Sequence, residues 1–284
     1  MEKNVGSRGL PSPLRRALFY VMVALFVLAV IFPFVWQFLT SLKPPGQINK
    51  MPPDWIPERM YFDYYVNVFV QHPFLTYLKN SLVVASSTTL FSLVIGSFAA
   101  YALVRLHFPG KRFILAMVLA ISIFPPIATL SPLFLFLKQM SLLNTYMGLI
   151  LPYTTFALPL TIWILASFIN DIPKDMEEAA IVDGCNRFMA FCKVILPLAA
   201  PGMFTTAILV FISAWNEFLY ALAFMSTEAQ RTVPVGISMF AGTYELPWGD
   251  IAAASVVVTV PLIVLVLIFQ RRIIAGLTAG GVKG

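Results

Sequence analysis

The chain is short of charge, of cysteine and of histidine, and each shortage excludes a class of protein. Only 11% of its 284 residues are charged, against 59% hydrophobic, where soluble domains carry about 25% charged residues. That balance excludes an ordinary soluble domain and points to a polytopic membrane protein. The two cysteines, Cys185 and Cys192, share one polar loop, which argues against a disulfide framework. His72 and His107 are isolated from each other and from the cysteines, so no metal site is indicated. No G-x-x-x-x-G-K-[ST] occurs, since Gly110-Lys111 lacks both the upstream Gly and the following Ser/Thr. The chain therefore does not cradle ATP by that route. No Ser/His, Asp/Asp or His/Glu constellation lies in the apolar runs, which argues against an intramembrane enzyme. Secondary transporters usually show internal repeats and midplane ion sites; here there is one deep carboxylate and no obvious repeat. The net charge of +6 does not imply nucleic acid, because the basic residues sit at the ends of apolar runs rather than in a stripe.

What is present is a series of apolar runs long enough to cross a bilayer. The first extends from Ala17 to about Leu39 behind a basic start, Lys3, Arg8, Arg15 and Arg16. It exceeds a signal-peptide core and lacks an A-x-A site, so it reads as an uncleaved span. Residues 42–76 are polar and carry Pro44-Pro45, Pro52-Pro53 and scattered Tyr and Trp, as an ordered external segment would. Span two covers about Tyr77 to Val104 and carries a polar row, Ser86-Ser87-Thr88-Thr89 and Ser92. Small polar residues of this kind are common packing surfaces between membrane helices. Span three, about Phe113 to Leu137, is interrupted by Pro125-Pro126 and Pro132, and span four runs to about Ile169 with Pro152 and Pro159 inside it. Span five covers about Gly202 to Met225, and span six ends at Arg271-Arg272.

Six spans put both termini on one side. Thirteen of the 19 Lys and Arg residues fall on the side that holds the termini, and the excess of positive charge predicts that this side is cytoplasmic.

Between spans four and five lies Asp175–Pro197, DMEEAAIVDGCNRFMAFCKVILP. Asp175, Glu177 and Glu178 occupy what would be the first turn of a helix, where negative charge suits the positive end of the dipole. Ala179, Ala180, Ile181 and Val182 continue it, and Gly184 after Asp183 fits the left-handed residue that ends a helix. A second run from Asn186 is expected to stop at Pro197, which cannot extend the hydrogen-bond ladder. On periodicity alone this is a helix–turn–helix on a membrane surface, with its carboxylates as ordinary helix caps.

The spacing Glu178-Ala179-Ala180, Gly184, then Val194-Ile195-Leu196-Pro197 resembles the EAA loop of ABC-transporter permeases, with Val where Ile is commoner. Ala214-Trp215-Asn216-Glu217-Phe218, Thr232-Val233-Pro234-Val235-Gly236 and the tail Gly281-Val282-Lys283-Gly284 are similar to the second permease subunit of carbohydrate importers of the maltose/trehalose type. The resemblance covers the chain from about Leu14. It implies an all-α membrane protein of the type I ABC importer permease fold, with six transmembrane helices and both termini cytoplasmic. Residues 1–76 would hold the cytoplasmic tail, first span and external segment. Residues 77–272 would form the permease core, with a cytoplasmic coupling loop at 170–200, and 273–284 a cytoplasmic tail. The setting would be a bacterial or archaeal plasma membrane.

The resemblance further implies partners: a homologous second permease, an ATPase dimer that holds the ATP and Mg, an extracytoplasmic solute-binding protein and a di- or oligosaccharide; importers of glycerol phosphate and of polyols share the same motifs, so the solute stays open. No cofactor is expected on this chain, and no nucleic acid. Glu177 and Glu178 would meet a basic ATPase surface, Ile181 and Val182 would anchor apolar contacts, and Ala179 and Ala180 would let backbones approach. Gly281, Lys283 and Gly284 would reach between the ATPase subunits. Glu217 is the one carboxylate well inside a span. It lies 15 residues past Gly202, roughly 22 Å at about 1.5 Å per residue. A charge at that depth is a functional candidate by default. With Trp215, Asn216 and Tyr220 it offers sugar-binding chemistry, or equally an interhelical hydrogen bond that fixes span five.

Overall fold

The computed structural model describes residues 13–240 and 246–279, and every regular element among them is helical. The tail residues Gly281, Lys283 and Gly284 lie outside the described residues. The chain divides into two compact units.

The first unit holds residues up to Val66 together with Pro247–Val256. Its first helix, α1 (Pro13–Thr40), is 28 residues long, roughly 42 Å at 1.5 Å per residue and more than the ~30 Å hydrocarbon core requires. The helix starts on a proline, where the missing N–H has no intrahelical partner to lose. Near its other end Trp36 packs edge-on against Trp55 at 5.5 Å, and the Lys43 ammonium lies 3.9 Å over the Trp36 ring. After the short α2 (Pro45–Ile48) the segment has little regular structure but is firmly cross-linked. The Gln47 amide donates to Asp54 at 3.1 Å and to the Ile56 carbonyl at 3.0 Å, and accepts from the Glu58 N–H at 3.1 Å. Lys50 pairs with Asp54 at 2.9 Å and, with Gln47, holds that carboxyl below the usual carboxylate range. The start of α3 (Asp63–Val70) completes this unit, with Tyr64 packed so closely on Gly249 that any side chain there would collide.

The second unit is built on α4 (Phe74–Arg105), α5 (Lys111–Ile123), α6 (Pro126–Gln139), α7 (Tyr146–Asp171), α8 (Lys174–Val182), α9 (Arg187–Ala190), α10 (Leu196–Leu198), α11 (Ala200–Trp215), α12 (Leu219–Phe224) and α13 (Val233–Ser238). The long α14 (Trp248–Ala279) begins in the first unit and ends here. Helices α1, α4, α7 and the α14 segment Trp248–Gln270 are each long and apolar enough to span a membrane. The pairs Lys111–Ile123 with Pro126–Gln139 and Arg187–Leu198 with Ala200–Trp215 pass the same test as bent pairs, so the described residues hold up to six spans if each pair is one span.

Helices α4 and α7 form the centre of the unit. They approach closely because Gly96 of α4 has no side chain where Thr161 of α7 sits, the small-residue device that membrane helices use in place of a hydrophobic driving force. The polar row of span two is split in its exposure. Thr88 and Ser92 are buried, whereas Ser86 and Thr89 border a groove lined by Phe204, Phe211 and Phe269.

Three breaks shape the spans. Between α5 and α6 the chain bends by 99°. Phe124 and Pro125 each precede a proline, which disfavours helical backbone, and both are extended at ψ 126° and 130°. Pro132, Pro152 and Pro159, by contrast, lie within continuous helices. The second run of the 170–200 loop does not stop at Pro197. A π turn over Phe191–Ile195 widens the helix just before that proline, and helix resumes over Leu196–Leu198. The wider turn relieves the clash that the proline ring would have with the carbonyl of Lys193. The chain then bends by 75° into α11.

Span five is also not one helix to Met225. It stops at Trp215 and restarts at Leu219, because the Glu217 carboxylate takes the N–H groups of Tyr220 and Ala221 and starts a new helix there. Span six, expected to end at Arg271-Arg272, continues as helix to Ala279.

Candidate coupling hairpin and translocation cavity

The acidic segment folds as expected into a short helix, α8, starting behind Pro173 with Asp175 and Glu177 in its first turn. Gly184 ends it at φ 93°, a left-handed value cheap for glycine alone. The Gly184 N–H donates to the Ile181 carbonyl at 3.0 Å and the Cys185 N–H to Ala180 at 3.0 Å, which satisfies carbonyls orphaned at the helix end. Asn186 then starts α9, its side chain accepting from the Met189 N–H at 2.8 Å.

The two faces of α8 differ. Ala180 is buried, whereas Glu178, Ala179, Asp183 and Gly184 are exposed, as are Ile181 at 42% and Val182 at 86%. Glu177 departs from the expectation that both carboxylates point outward. Its side chain is only 12% exposed and sits 3.3 Å from the Arg105 guanidinium, itself 5% exposed. The Tyr101 hydroxyl donates to its other oxygen. Arg105 also donates to the Ile169 and Ile172 carbonyls at the end of α7, at 3.1 and 2.6 Å. Arg105 is thus ion-paired with this carboxylate and donates to two helix-end carbonyls within the chain, while its Nε–H makes no hydrogen bond among the described residues; Glu178 is left as the outward carboxylate of this pair. The hairpin's second half packs by aromatic contact, with Phe98 and Tyr101 5.0 and 4.9 Å from Phe191.

The second candidate region lies where the α5–α6 and α11–α12 breaks meet. Glu217 accepts from the N–H of Tyr220 at 2.9 Å, from the N–H of Ala221 at 3.1 Å and from the Tyr153 hydroxyl. The Tyr220 hydroxyl is 2.6 Å from that of Thr129 and 3.1 Å from the Pro126 carbonyl, so it supplies a donor at the proline break. Its ring stacks on Phe156 at 5.5 Å. Glu217, Tyr220, Phe156, Leu160 and Ser213 border two adjoining spaces, a cavity of about 130 Å³ and a wider groove of about 510 Å³ that Trp163 also lines. Among the lining residues Glu217 is the one charged group.

The family described as binding-protein-dependent transport system inner membrane component matches residues 92–278. The chain belongs to this permease family. The permease is 47% identical over 273 residues to the trehalose transport system permease protein SugB of Mycobacterium tuberculosis, a match covering 95% of this chain and 99% of that one. It is 42% identical over 274 residues to the trehalose/maltose transport system permease protein MalG of Thermococcus litoralis, covering 95% and 98%. It is 43% identical over 265 residues to the sulfoquinovosyl glycerol transport system permease protein SmoH of Agrobacterium fabrum, covering 93% of each. In fold it is similar to a chain of a bacterial ABC transporter involved in import of the acidic polysaccharide alginate. The TM-score is 0.79 at 22% identity, over 93% of this chain and 99% of that one. The permease is thus a multi-pass inner-membrane subunit with the helical fold of ABC importer permeases.

Of the four residues expected on the substrate path, the permease brings two to the cavity, Glu217 and Tyr220. Trp215 is buried, 2% exposed, against Phe211, and its indole N–H finds no acceptor among the described residues. Asn216 is exposed and donates back to the Ile212 carbonyl at 2.8 Å. Tyr153, Phe156, Trp163, Ser213 and Thr129 escaped the sequence reading. Tyr153 and Phe156 flank Thr154-Thr155 within the otherwise apolar α7, and nothing in the one-dimensional pattern separates a cavity face from a packed one. The Pro125-Pro126 pair was the one available signal for Thr129.

Proposed function

We propose that the chain is the permease subunit forming half of the translocation pathway of an ATP-driven importer for a neutral di- or oligosaccharide of the trehalose/maltose class. The names of the relatives at 42–47% identity support a sugar. The cavity lining supports neutrality, because its one charged group is a carboxylate, which repels a sulfonate or phosphate and accepts hydrogen bonds from hydroxyls. Phe156, Trp163 and Tyr220 offer rings for the apolar faces of a sugar. The chain makes and breaks no covalent bond. ATP and Mg belong to a separate ATPase pair, and a homologous permease and an external solute-binding protein complete the assembly.

The observation that carries this reading is the shape of the α8 hairpin. Glu178, Ile181 and Val182 are presented outward on a helix whose buried side carries Ala180 and Glu177, the latter held by Arg105 and Tyr101. Closure of the ATPase pair on ATP would push this face and switch the cavity between inward and outward access. Glu178 meets a basic ATPase surface, Ile181 and Val182 fill an apolar cleft, and the tail Gly281, Lys283 and Gly284 contacts the ATPase pair. The test is uptake of radiolabelled trehalose and maltose into proteoliposomes holding the full complex and the binding protein. ATP-dependent accumulation is expected. Uptake driven by a proton gradient without the ATPase would overturn the reading.

A further inference from the structure

We infer that Arg105, with Tyr101 and Glu177, is a positioning joint that locks the α8 helix to the ends of α4 and α7, so that the three move as one body. The inference rests on the coupling role proposed for α8, and adds to it the device that carries the push inward.

Helix α8 follows α7 after two residues, Ile172 and Pro173. That link, with Ile172 extended at ψ 125° before Pro173, fixes where α8 starts and ends the α7 helix, but by itself makes no contact between α8 and α4. No short link joins α8 to α4, which ends 69 residues earlier in sequence. The joint supplies that contact. Arg105 occupies the last position of α4, beside the C-terminal end of α7, where unpaired carbonyls and the helix dipole favour a cation. One guanidinium nitrogen takes the Ile169 and Ile172 carbonyls, and Nε faces the Glu177 carboxylate at 3.3 Å. One helical turn earlier, Tyr101 holds the second oxygen of the same carboxylate. Two residues of one α4 face therefore grip both oxygens of a single α8 side chain, and the same Arg closes the circuit onto α7.

The chemistry suits Arg and excludes simple substitutes. A planar fork with five N–H donors can serve two carbonyls and a carboxylate at once, whereas the compact Lys ammonium cannot span them. The group is also buried on every side, 5% exposed for Arg105 and 12% for Glu177. A purely electrostatic surface contact would not need that burial, because exposed ion pairs contribute little.

The experiment uses the assembled transporter in lipid, with Cys185 and Cys192 replaced by Ser. Spin labels at Met176 on α8 and His107 just beyond the end of α4, both exposed and neither assigned to the ATPase contact, report the distance between the two elements. The parent complex is expected to give one narrow distribution, unchanged between nucleotide-free and ATP-bound states. Arg105→Lys and Glu177→Gln should each broaden it, and trehalose transported per ATP should fall about tenfold, the equivalent of losing one charge-assisted hydrogen bond. Because both substitutions open one joint, the double variant should fall no further than the worse single. Tyr101→Phe keeps the ring against Phe191 and should give a smaller broadening, which keeps the test available if Arg105→Lys fails to assemble. Narrow distributions and parental stoichiometry in these variants, or losses that multiply in the double, would overturn the joint. Glu178→Lys separates the two claims. It should keep the distance narrow while transport is lost, and normal transport with Glu178→Lys would sink the coupling role and this inference with it.

Discussion

Replacing Glu217 by Ala tests whether the deep carboxylate is a helix cap, a cavity group or both. In the parent it accepts three hydrogen bonds, from two backbone N–H groups at the start of α12 and from the Tyr153 hydroxyl. Truncation orphans three donors, each costing about 1–3 kcal/mol if it stays dry. The adjoining cavity of about 130 Å³ can admit water, which offsets part of the loss and leaves about 3 kcal/mol as a central value. Tyr153→Phe removes one bond and leaves the cap intact, so its cost should be about 1 kcal/mol. Glu217→Gln keeps an acceptor oxygen but turns the other position into a donor facing donors, and should fall between the two. The assay pairs the thermal midpoint of the purified complex with trehalose uptake in proteoliposomes. Glu217→Ala should lower both, Tyr153→Phe should lower the midpoint slightly, and the sugar affinity of the binding protein should not change because that site is on another chain. A Glu217→Ala complex with parental midpoint and parental uptake would refute the reasoning.

Three further outcomes follow from the same geometry. Gly184→Ala should assemble but lose most transport, because φ 93° costs an alanine roughly 1–2 kcal/mol while no neighbour lies within 4 Å of the added methyl; Gly184→Asn should retain more, and equal uptake by both would contradict this. Gly96→Ala should destabilise the complex by forcing α4 off Thr161, and Thr161→Ser in the same chain should restore part of the loss; an unaltered thermal midpoint in the single variant would show that the helices are not this close. Cysteines placed singly along positions 213–220 should label from water at 213 and 217 and resist at 215, and uniform labelling would exclude the break at Asn216–Phe218.

Much of the architecture was legible in the sequence because membrane helices announce themselves by length and hydropathy. The long spans α1, α4 and α7 fall within a few residues of the expected limits. The α8–α9 hairpin was legible too, since an acidic first turn, an Ala-rich body and a following Gly are local signals. What was not legible is non-local. Pro197 looked like a stop because the rule considers only the proline's own ring and missing N–H; the π turn at Phe191–Ile195 gives the chain room to continue. Glu217 looked like an isolated charge, yet it starts a helix that the apolar run gave no hint of interrupting. Glu177 and Glu178 are neighbours of one residue type in one turn. Only the position of Arg105, on a helix ending 72 residues earlier, turns one inward and leaves the other exposed. Burial of that kind depends on which helix ends meet, and no periodicity within α8 encodes it.

The central claim is that α8 is the surface through which an ATPase drives this permease. It is tested most directly by Glu178→Lys in the full complex, pulled down through a tagged ATPase and then assayed for hydrolysis and uptake in proteoliposomes. The substitution reverses the charge of an exposed residue in the first two turns of α8, so insertion and folding of the permease should be unaffected. The account predicts that the ATPase is released, or is retained without stimulation by sugar-loaded binding protein, and that uptake is lost. Parental hydrolysis and uptake by Glu178→Lys would show that α8 is a passive surface helix.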